Sequence, residues 1–529
     1  MNALHALYGT ASIRRIERAW LEQLAPGALM KRAAGAVADQ ATRMLRRLPP
    51  ETVVLLLVGP GNNGGDALQA GRLLRARGFA VRACALASIV STAPQAADAA
   101  AAWHAWHDDG LALLPLEDKA AWLLPRPPLI IDGLFGIGLS RALPLELTPL
   151  IGWIKRVRAP VLAVDVPSGL DADTGAAVAG GQVLPATMTV TMIADKPALH
   201  TGLGLTCAGE VCVATLSDPA ERPALAPSAA GMLLVRGVRA DGVLLDAAAV
   251  RRLLPARGID AHKGTSGDVL VIGGRLGMAG AARLAARGAL GAGAGRVWIA
   301  GDSRSTDAAD PGRPEIMRAM IAAGDPLPAN VNVVAIGCGL GQDRQAWQYL
   351  QSVVASRALM VCDADALNLL AAMPELTRPV QQRVAPTVLT PHPLEAARLL
   401  GISTRRVQDD RIAAAQTLAR RYSAVVVLKG AGTVIADSWG HYAINASGNP
   451  VLATGGTGDV LAGIIAALAA GSTAAPAATA ATAALAGVWL HGAAGDLVAQ
   501  NIGPKGVPAG VIAEWLPAVF RLVRDAEPG

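Results

Sequence analysis

At 529 residues the chain is long enough for two to four domains of roughly 100 to 200 residues each. Its 47 Lys+Arg against 41 Asp+Glu leave a formal charge of +6, but the basic runs are short and aromatics make up only 3% of residues, so neither a nucleic-acid tract nor a base-stacking surface is expected. Cys84, Cys207, Cys212, Cys338 and Cys362 are odd in number and lack C-x-x-C spacing, which disfavours a disulfide framework and fits a reducing cytoplasm; Arg14, Arg15 and Glu17 fall too early for the apolar core of a signal peptide.

Short β-branched runs open the chain: "TVVLLLVG", "AVRACAL", "PLIIDGLFG", "VLAVDVPSG" and "TMTVTMIA" alternate with longer alanine- and leucine-rich amphipathic segments. That rhythm predicts βαβ units and a parallel sheet covered on both faces. It lapses in "SDPAERPALAPSAAG", rich in proline and alanine, and then restarts with "DVLVIGG", "GRVWIAG", "NVNVVAIGCG", "ALMVCDADAL", "PTVLTPHP", "AVVVLKGAG" and "TVIADSWG". The expected organisation is one α/β domain over residues 1–222, a linker at 223–240 and a second α/β domain over 241–529. The uncharged interval from Val460 to Leu490 is broken by Gly471, Ser472, Thr473 and Pro476, which predicts two packed, buried helices and no membrane span.

Three strand ends of the first domain carry unusual residues. In "GPGNNGGD" Gly59, Gly61 and Gly64 fit G-x-G-x-x-G, yet the acid expected about 20 residues further on is missing from "FAVRACALASIV". The loop instead offers Asn62, Asn63 and Asp66 among glycines that permit close backbone approach. "LIIDGLFGIGLSR" ends a strand in Asp132 and continues into a glycine loop with Arg141, while "VLAVDVPSGLDADTG" carries Asp165, Ser168, Asp171 and Asp173. Each alone is open to a structural reading as turn, Asx-turn or helix cap. Together they favour a site that holds a monovalent or hard cation beside a carboxylate base.

These motifs resemble the NAD(P)H-hydrate epimerase family, whose fold is Rossmann-like and whose ligand is a nicotinamide dinucleotide hydrated at C6. The resemblance implies that Asn62, Asn63, Gly64, Gly65 and Asp66, together with Gly136, Ile137, Gly138, Leu139, Ser140, Arg141 and Ala142, contact the hydrate. It further implies that Asn63, Asp132 and Ser168 hold a potassium ion and that Asp165 lies at the reacting ring as candidate base. "ADKPALHTG", with Lys196, resembles the family's lysine-containing strand end.

In the second domain "NPVLATGGTGDVLAGIIAAL" leads a glycine turn into an apolar helix with Asp459 in its first turn. Free N–H groups from Gly456 to Gly458 would form an anion hole, and Asp459 could take a proton from a hydroxyl beside a phosphoryl group; a capping aspartate is the structural alternative. No G-K-[ST] occurs, which excludes a P-loop kinase. With "AHKGTSGDVLVIGG", "GMAGAARLAARGAL", "GCGLG", "CDADALNLL", "LTPHPLEAARLLG" and "VLKGAGTVIAD", this half is similar to the ADP-dependent NAD(P)H-hydrate dehydratases of the ribokinase-like superfamily.

The similarity implies that Lys429, Gly430, Ala431, Gly432, Thr433 and Gly458 bind the adenine nucleotide, that Ala281, Gly339, His392 and Asp459 meet the hydrate, and that Mg2+ accompanies ADP. Cys338 stands where that family commonly has proline, Leu394 and Val451 where it has glycine. The expected function is R/S epimerisation of hydrated NAD(P)H followed by ADP-dependent dehydration of the S form, giving AMP and phosphate, in a homo-oligomer without nucleic-acid or membrane partners. The alternative is a ribokinase-like small-molecule kinase fused to a ligand-binding regulatory domain, which would need ATP and a stable phosphorylated product. His104 and His107 share a helix face, but a packed helix with Trp103 and Trp106 is the expected explanation.

Overall fold

The computed structural model describes residues 5–217, 226–227, 233–235, 237–254, 258–302, 310–471 and 476–525. The chain divides into two compact units, 6–241 and 242–529, the second also taking in the first five residues. Half of the linker expected at 223–240 lies outside the described residues.

The first unit is built on seven parallel strands: β1 (Val54–Val58), β2 (Val81–Ala85), β3 (Leu113–Pro115), β4 (Leu129–Gly133), β5 (Val161–Val164), β6 (Met188–Met192) and β7 (Glu210–Ala214). Their spatial order is β3-β2-β1-β4-β5-β6-β7, all pairings parallel. The strands are continuous apolar runs because both faces are buried. On β1, Val54, Leu56 and Val58 pack into one core with Val37, Ala67 and Trp106, while Leu55 and Leu57 pack on the opposite face with Ile130, Trp122 and Ile154. The chain leaves β1 toward β2 on one side and returns through β4 on the other. Loops diverge at such a reversal of strand order and open a crevice at the carboxyl ends of β1, β4 and β5.

The second unit holds β8 (Gly242–Leu245), β9 (Asp268–Ile272), β10 (Arg296–Ala300), β11 (Ile316–Arg318), β12 (Val333–Ile336), β13 (Leu359–Cys362), β14 (Thr387–Leu389), β15 (Val425–Leu428), β16 (Val434–Ala436) and β17 (Tyr442–Asn445). The order is β8-β17-β16-β15-β14-β13-β12-β9-β10-β11, parallel throughout except where β16 pairs antiparallel with β15 and β17. The α/β expectation therefore holds for both units.

Helices Ala279–Gly291 and Thr457–Ala470 cover this sheet in unusually close contact. A Cβ on Gly463 would sit 1.8 Å from the Ala285 carbonyl oxygen, and one on Gly288 would sit 2.3 Å from that of Val460. The alanine and glycine content that weakens the hydropathy of 460–490 is what lets these backbones approach. The interval resolves into helices Thr457–Ala470 and Pro476–Asn501, and no helix among the described residues is long and apolar enough to cross a membrane. His107 Nδ1 donates to the Trp103 carbonyl (2.9 Å) with its ring 3.8 Å from the Trp103 ring, so the tryptophan-packed helix is what forms around His104 and His107.

Candidate active sites

The residues expected in a loop after β1 in fact open a helix. Gly61 is the cap of helix Asn62–Ala76, so Asn62, Asn63, Gly64, Gly65 and Asp66 form its first turns, with the Gly64 and Gly65 N–H groups closing onto the Gly61 carbonyl (3.0 and 3.2 Å). The three glycines of the fingerprint do unequal work. A Cβ on Gly59 would lie 1.7 Å from the Leu134 carbonyl oxygen and one on Gly64 2.0 Å from that of Gly59, whereas one on Gly61 would meet nothing within 4 Å.

A cavity of about 650 Å³ opens at these strand ends, lined by Asn62, Asn63, Asp66, Gly136 to Arg141 and Asp165. Arg14 and Glu17 of helix Thr10–Leu21 complete its rim, and no sequence motif marked them. Gly64, Gly65 and Ala142 do not line it; Gly65 is pressed instead against Met30, whose Cε would be 2.5 Å from an added Cβ.

Asp165 follows β5 with φ 69°, a left-handed conformation that costs about 1 kcal/mol or more for a side-chain-bearing residue. The turn aims its carboxylate back into the cavity wall, where Oδ1 accepts from the Met192 N–H (3.1 Å) and pairs with Lys196 Nζ (2.8 Å). Lys196 is fully buried and also donates to Thr191 Oγ1 (2.7 Å) and the Met192 carbonyl (3.1 Å). An atom placed at the Cβ position of Gly136 would lie 3.1 Å from Asn63 Oδ1 and 3.3 Å from Asp165 Oδ2, so the β1 and β5 ends meet across this glycine. Asp66 is buried beside them. Burial, then Asp165, Glu17 and Asp98, push its carboxyl well above the usual carboxylate range.

Asp132 is fully buried behind the cavity. Its Oδ1 accepts from Ser168 Oγ (2.6 Å) and the Leu134 N–H (3.3 Å), and its Oδ2 from the Ser168 N–H (2.9 Å). No Lys, Arg or His pairs with it among the described residues, and burial raises its carboxyl to about 6 despite the Ser168 bonds. Asn63 also carries a buried, unpartnered amide nitrogen. A buried carboxylate without a counter-charge and a hydroxyl on it are oxygen donors suited to a hard monovalent cation.

In the second unit, Gly456 caps helix Thr457–Ala470 with φ 95°, and Asp459 sits in the first turn. Lys429, at the end of β15, lies against that turn: a Cβ on Gly458 would be 3.4 Å from its Nζ. Lys429 is bound to Asp363 at 2.5 Å, and Thr390 donates to the same Asp363 oxygen at 2.8 Å. Burial lowers the Lys429 pKa, but Asp363 and Glu395 more than offset that and keep it charged. The segment Lys429 to Thr433 folds on itself, with Thr433 Oγ1 donating to the Gly430 carbonyl (2.8 Å) and φ of 132° at Gly430 and 61° at Gly432. A lysine beside free helix N–H groups is an arrangement that binds phosphoryl oxygens.

Burial raises Asp459 to about 6, with Asp363 adding to the rise and Cys338 and Lys429 opposing it. A base with that value is ionised at neutral pH and still takes a proton readily. A Cβ on Gly339 (φ 63°) would lie 2.8 Å from the Met278 carbonyl oxygen and 3.1 Å from the Ala281 Cβ, so two residues expected at the hydrate are neighbours. His392 Nδ1 accepts from the Leu394 (3.1 Å) and Glu395 (3.2 Å) N–H groups, which assigns the ring proton to Nε2, 3.3 Å from Glu395 Oε1. Burial and then Lys429 lower the His392 pKa, while burial lifts Glu395 to about 7.

Asp363, Lys196 and Cys338 are the partners that sequence reasoning left out of the site. Asp363 was legible as a carboxylate ending a strand in "MVCDADAL", but its pairing with Lys429 spans 66 residues. Cys338, Asp363 and Asp459 bring one ligand atom each within 4.8 Å of one another. The trio does not suit Mg2+ by itself: Asp363 is committed to Lys429, and burial keeps the Cys338 thiol protonated.

Two family models match the chain, "YjeF-related protein N-terminus" over residues 26–198 and "NAD(P)H-hydrate dehydratase" over residues 269–518. The chain is 39% identical over 510 residues to the bifunctional NAD(P)H-hydrate repair enzyme Nnr of Coxiella burnetii, covering 95% of this chain and 97% of that protein. Its second half is 41% identical over 276 residues to the ADP-dependent (S)-NAD(P)H-hydrate dehydratase of Neisseria meningitidis, covering 51% of this chain and 89% of that one. Among solved structures, the ADP/ATP-dependent NAD(P)H-hydrate dehydratase of Bacillus subtilis, co-crystallised with ATP/Mg2+, is 32% identical, covers 53% of this chain and 98% of its own, and superposes with a TM-score of 0.49.

Proposed function

This chain belongs to the family of bifunctional NAD(P)H-hydrate repair enzymes, and from that premise we propose how its residues divide the two reactions. The 650 Å³ cavity of the first unit takes the hydrated nicotinamide ring against Asn62, Asn63, Asp66 and the Gly136–Arg141 loop. Asp165, oriented by Lys196 and the Met192 N–H, is the base that moves a proton at the ring so that the C6 centre opens and recloses, beside Asp66, whose carboxyl pKa is raised by burial. Asn63, Asp132 and Ser168 would hold the potassium ion, which supplies the positive charge that the buried Asp132 otherwise lacks.

In the second unit, Lys429 to Thr433 and Gly458 receive ADP, and Ala281, Gly339 and His392 meet the hydrate; Mg2+ bound with the nucleotide would supply further positive charge to the phosphoryl group. Hydroxide is a poor leaving group. Asp459 takes the proton of the C6 hydroxyl as that oxygen accepts the terminal phosphoryl group of ADP, and AMP departs. Loss of phosphate from C6, with a proton leaving the adjacent ring carbon C5 to solvent, then restores the ring double bond, with charge on the moving phosphoryl group met by Lys429 and the helix N–H groups. The observation that carries this reading is the placement of Asp459, raised to about 6, in the same turn as the glycines beside Lys429. We place the enzyme in the cytoplasm as a homo-oligomer.

The test is incubation of the full-length protein with an R/S mixture of hydrated NADH and ADP, followed by absorbance of restored NADH. Both epimers are expected to disappear, with AMP and phosphate released. Asp459→Asn should lower recovery by about 10² to 10⁴ while R/S exchange continues. Consumption of S alone sinks the epimerase assignment, and recovery by Asp459→Asn sinks the base.

A further inference from the structure

The residue at position 338 sits at the most constrained strand end of the second unit. Cys338 follows β12 between Gly337 (φ 122°) and Gly339 (φ 63°). A Cβ on Gly337 would be 1.8 Å from the Asp363 carbonyl oxygen, and one on Gly273 would be 2.2 Å from that of Cys338. Backbone contact on both sides therefore fixes where its side chain emerges. The side chain is fully buried, and its Sγ lies within 4.8 Å of a carboxylate oxygen of Asp363 and of Asp459.

A thiolate there would be a third negative charge in a buried cluster, so the sulfur keeps its proton. That proton needs an acceptor. Asp363 Oδ1 already accepts from Lys429 and Thr390, and Asp459, whose carboxylate lies within 4.8 Å of the sulfur, is the acceptor to which the thiol is coupled. A proline or alanine at this position would have no such donor.

We infer that Cys338 is a positioning residue for the dehydratase base, donating its S–H to the Asp459 carboxylate and so holding that carboxylate ionised and oriented in the first turn of helix Thr457–Ala470. The inference rests on Asp459 acting as the base. The other groups that face Asp459 are Asp363 and Asp365 beyond β13, which raise it, and Lys429 beyond β15, which lowers it. Glu395 lies across Lys429. His491, bonded to the Thr457 backbone, is held neutral by burial at about 4 and adds no charge. The thiol is uncharged, so it can be deleted without changing the charge of the cluster.

The experiment measures kcat/KM for ADP-dependent NADH recovery against pH in the full-length enzyme and in Cys338→Ala, Cys338→Pro and Cys338→Ser, with R/S exchange followed in parallel. Loss of the S–H donor is expected to move the acidic limb upward by about half to one pH unit in the Ala and Pro variants, a three- to tenfold deficit below pH 6 that closes above pH 8. The Ser variant, which keeps a donor, should hold the limb near that of the parent, and R/S exchange should be unchanged in all three. An unmoved limb in a folded Ala or Pro variant overturns the inference, as does a loss that is uniform across pH and not relieved in Cys338→Ser. Asp459→Asn in the same assay separates the two ideas: recovery by that variant removes the base itself, whereas its inactivity beside an unmoved Cys338→Ala limb removes only the role of the thiol.

Discussion

Replacing Lys196 by methionine removes a charge from the least accessible ion pair of the first unit while nearly conserving volume. Lys196 has no exposed surface, and its ammonium serves Asp165 at 2.8 Å, Thr191 Oγ1 at 2.7 Å and the Met192 carbonyl at 3.1 Å. In Lys196→Met, Asp165 keeps only the Met192 N–H at 3.1 Å, and a hydroxyl and a carbonyl lose their donor. Breaking a buried pair from one side typically costs about 3 to 5 kcal/mol. Asp165 lines the cavity and water can reach it, so the lower end, about 3 kcal/mol, is expected. Lys196→Met/Asp165→Asn leaves no unpaired charge and should recover at least about 1 kcal/mol of that loss. Guanidinium unfolding of the full chain, with hydrogen exchange of peptides from 161–200 to assign the transition, measures both variants. A single variant within about 0.5 kcal/mol of the parent, or a double variant less stable than the single, would refute the argument that the lysine is there to neutralise Asp165.

Gly59→Ala should destabilise the first unit and abolish R/S exchange, because its Cβ must displace the Leu134 carbonyl from 1.7 Å, whereas Gly61→Ala should leave melting and exchange close to those of the parent. Dehydration should fall about tenfold per pH unit below pH 6 as Asp459 protonates; the same raised value means that ionising Asp459 costs stability, a cost absent below the ordinary carboxylate range and complete once pH passes about 6. Replacing potassium by a large organic cation should slow R/S exchange and leave NADH recovery from pure S substrate unchanged; equal slowing of both would show that the ion does not belong to the Asn63, Asp132 and Ser168 set.

Much of the architecture was legible because parallel strands buried on both faces must be apolar throughout. "TVVLLLVG" and "VVVL" announce β1 and β15 without any long-range knowledge. The glycine-Asp motif at 456–459 was equally plain, since a helix start has few ways to expose its N–H groups beside a carboxylate. Asn62 to Asp66 read as loop because glycine and asparagine are poor helix formers, yet the chain turns helical there: close packing of Gly59, Gly64 and Gly65 against neighbouring backbone and Met30 outweighs local propensity.

What the amino-acid sequence determined by itself is which residue types stand at the ends of which strands, because strand ends follow from local hydrophobic runs and the residues that interrupt them. What only tertiary structure decided is which of those ends meet. Strand order placed β1, β4 and β5 side by side although β2 and β3 intervene in the chain, and so brought Asn63 and Asp165 to the two sides of Gly136. Likewise Lys196 reaches Asp165, Lys429 reaches Asp363, and Cys338 reaches Asp459 across 31, 66 and 121 positions. Charge neutralisation and proton donation depend on distance in space, which a pattern of neighbours along the chain does not contain.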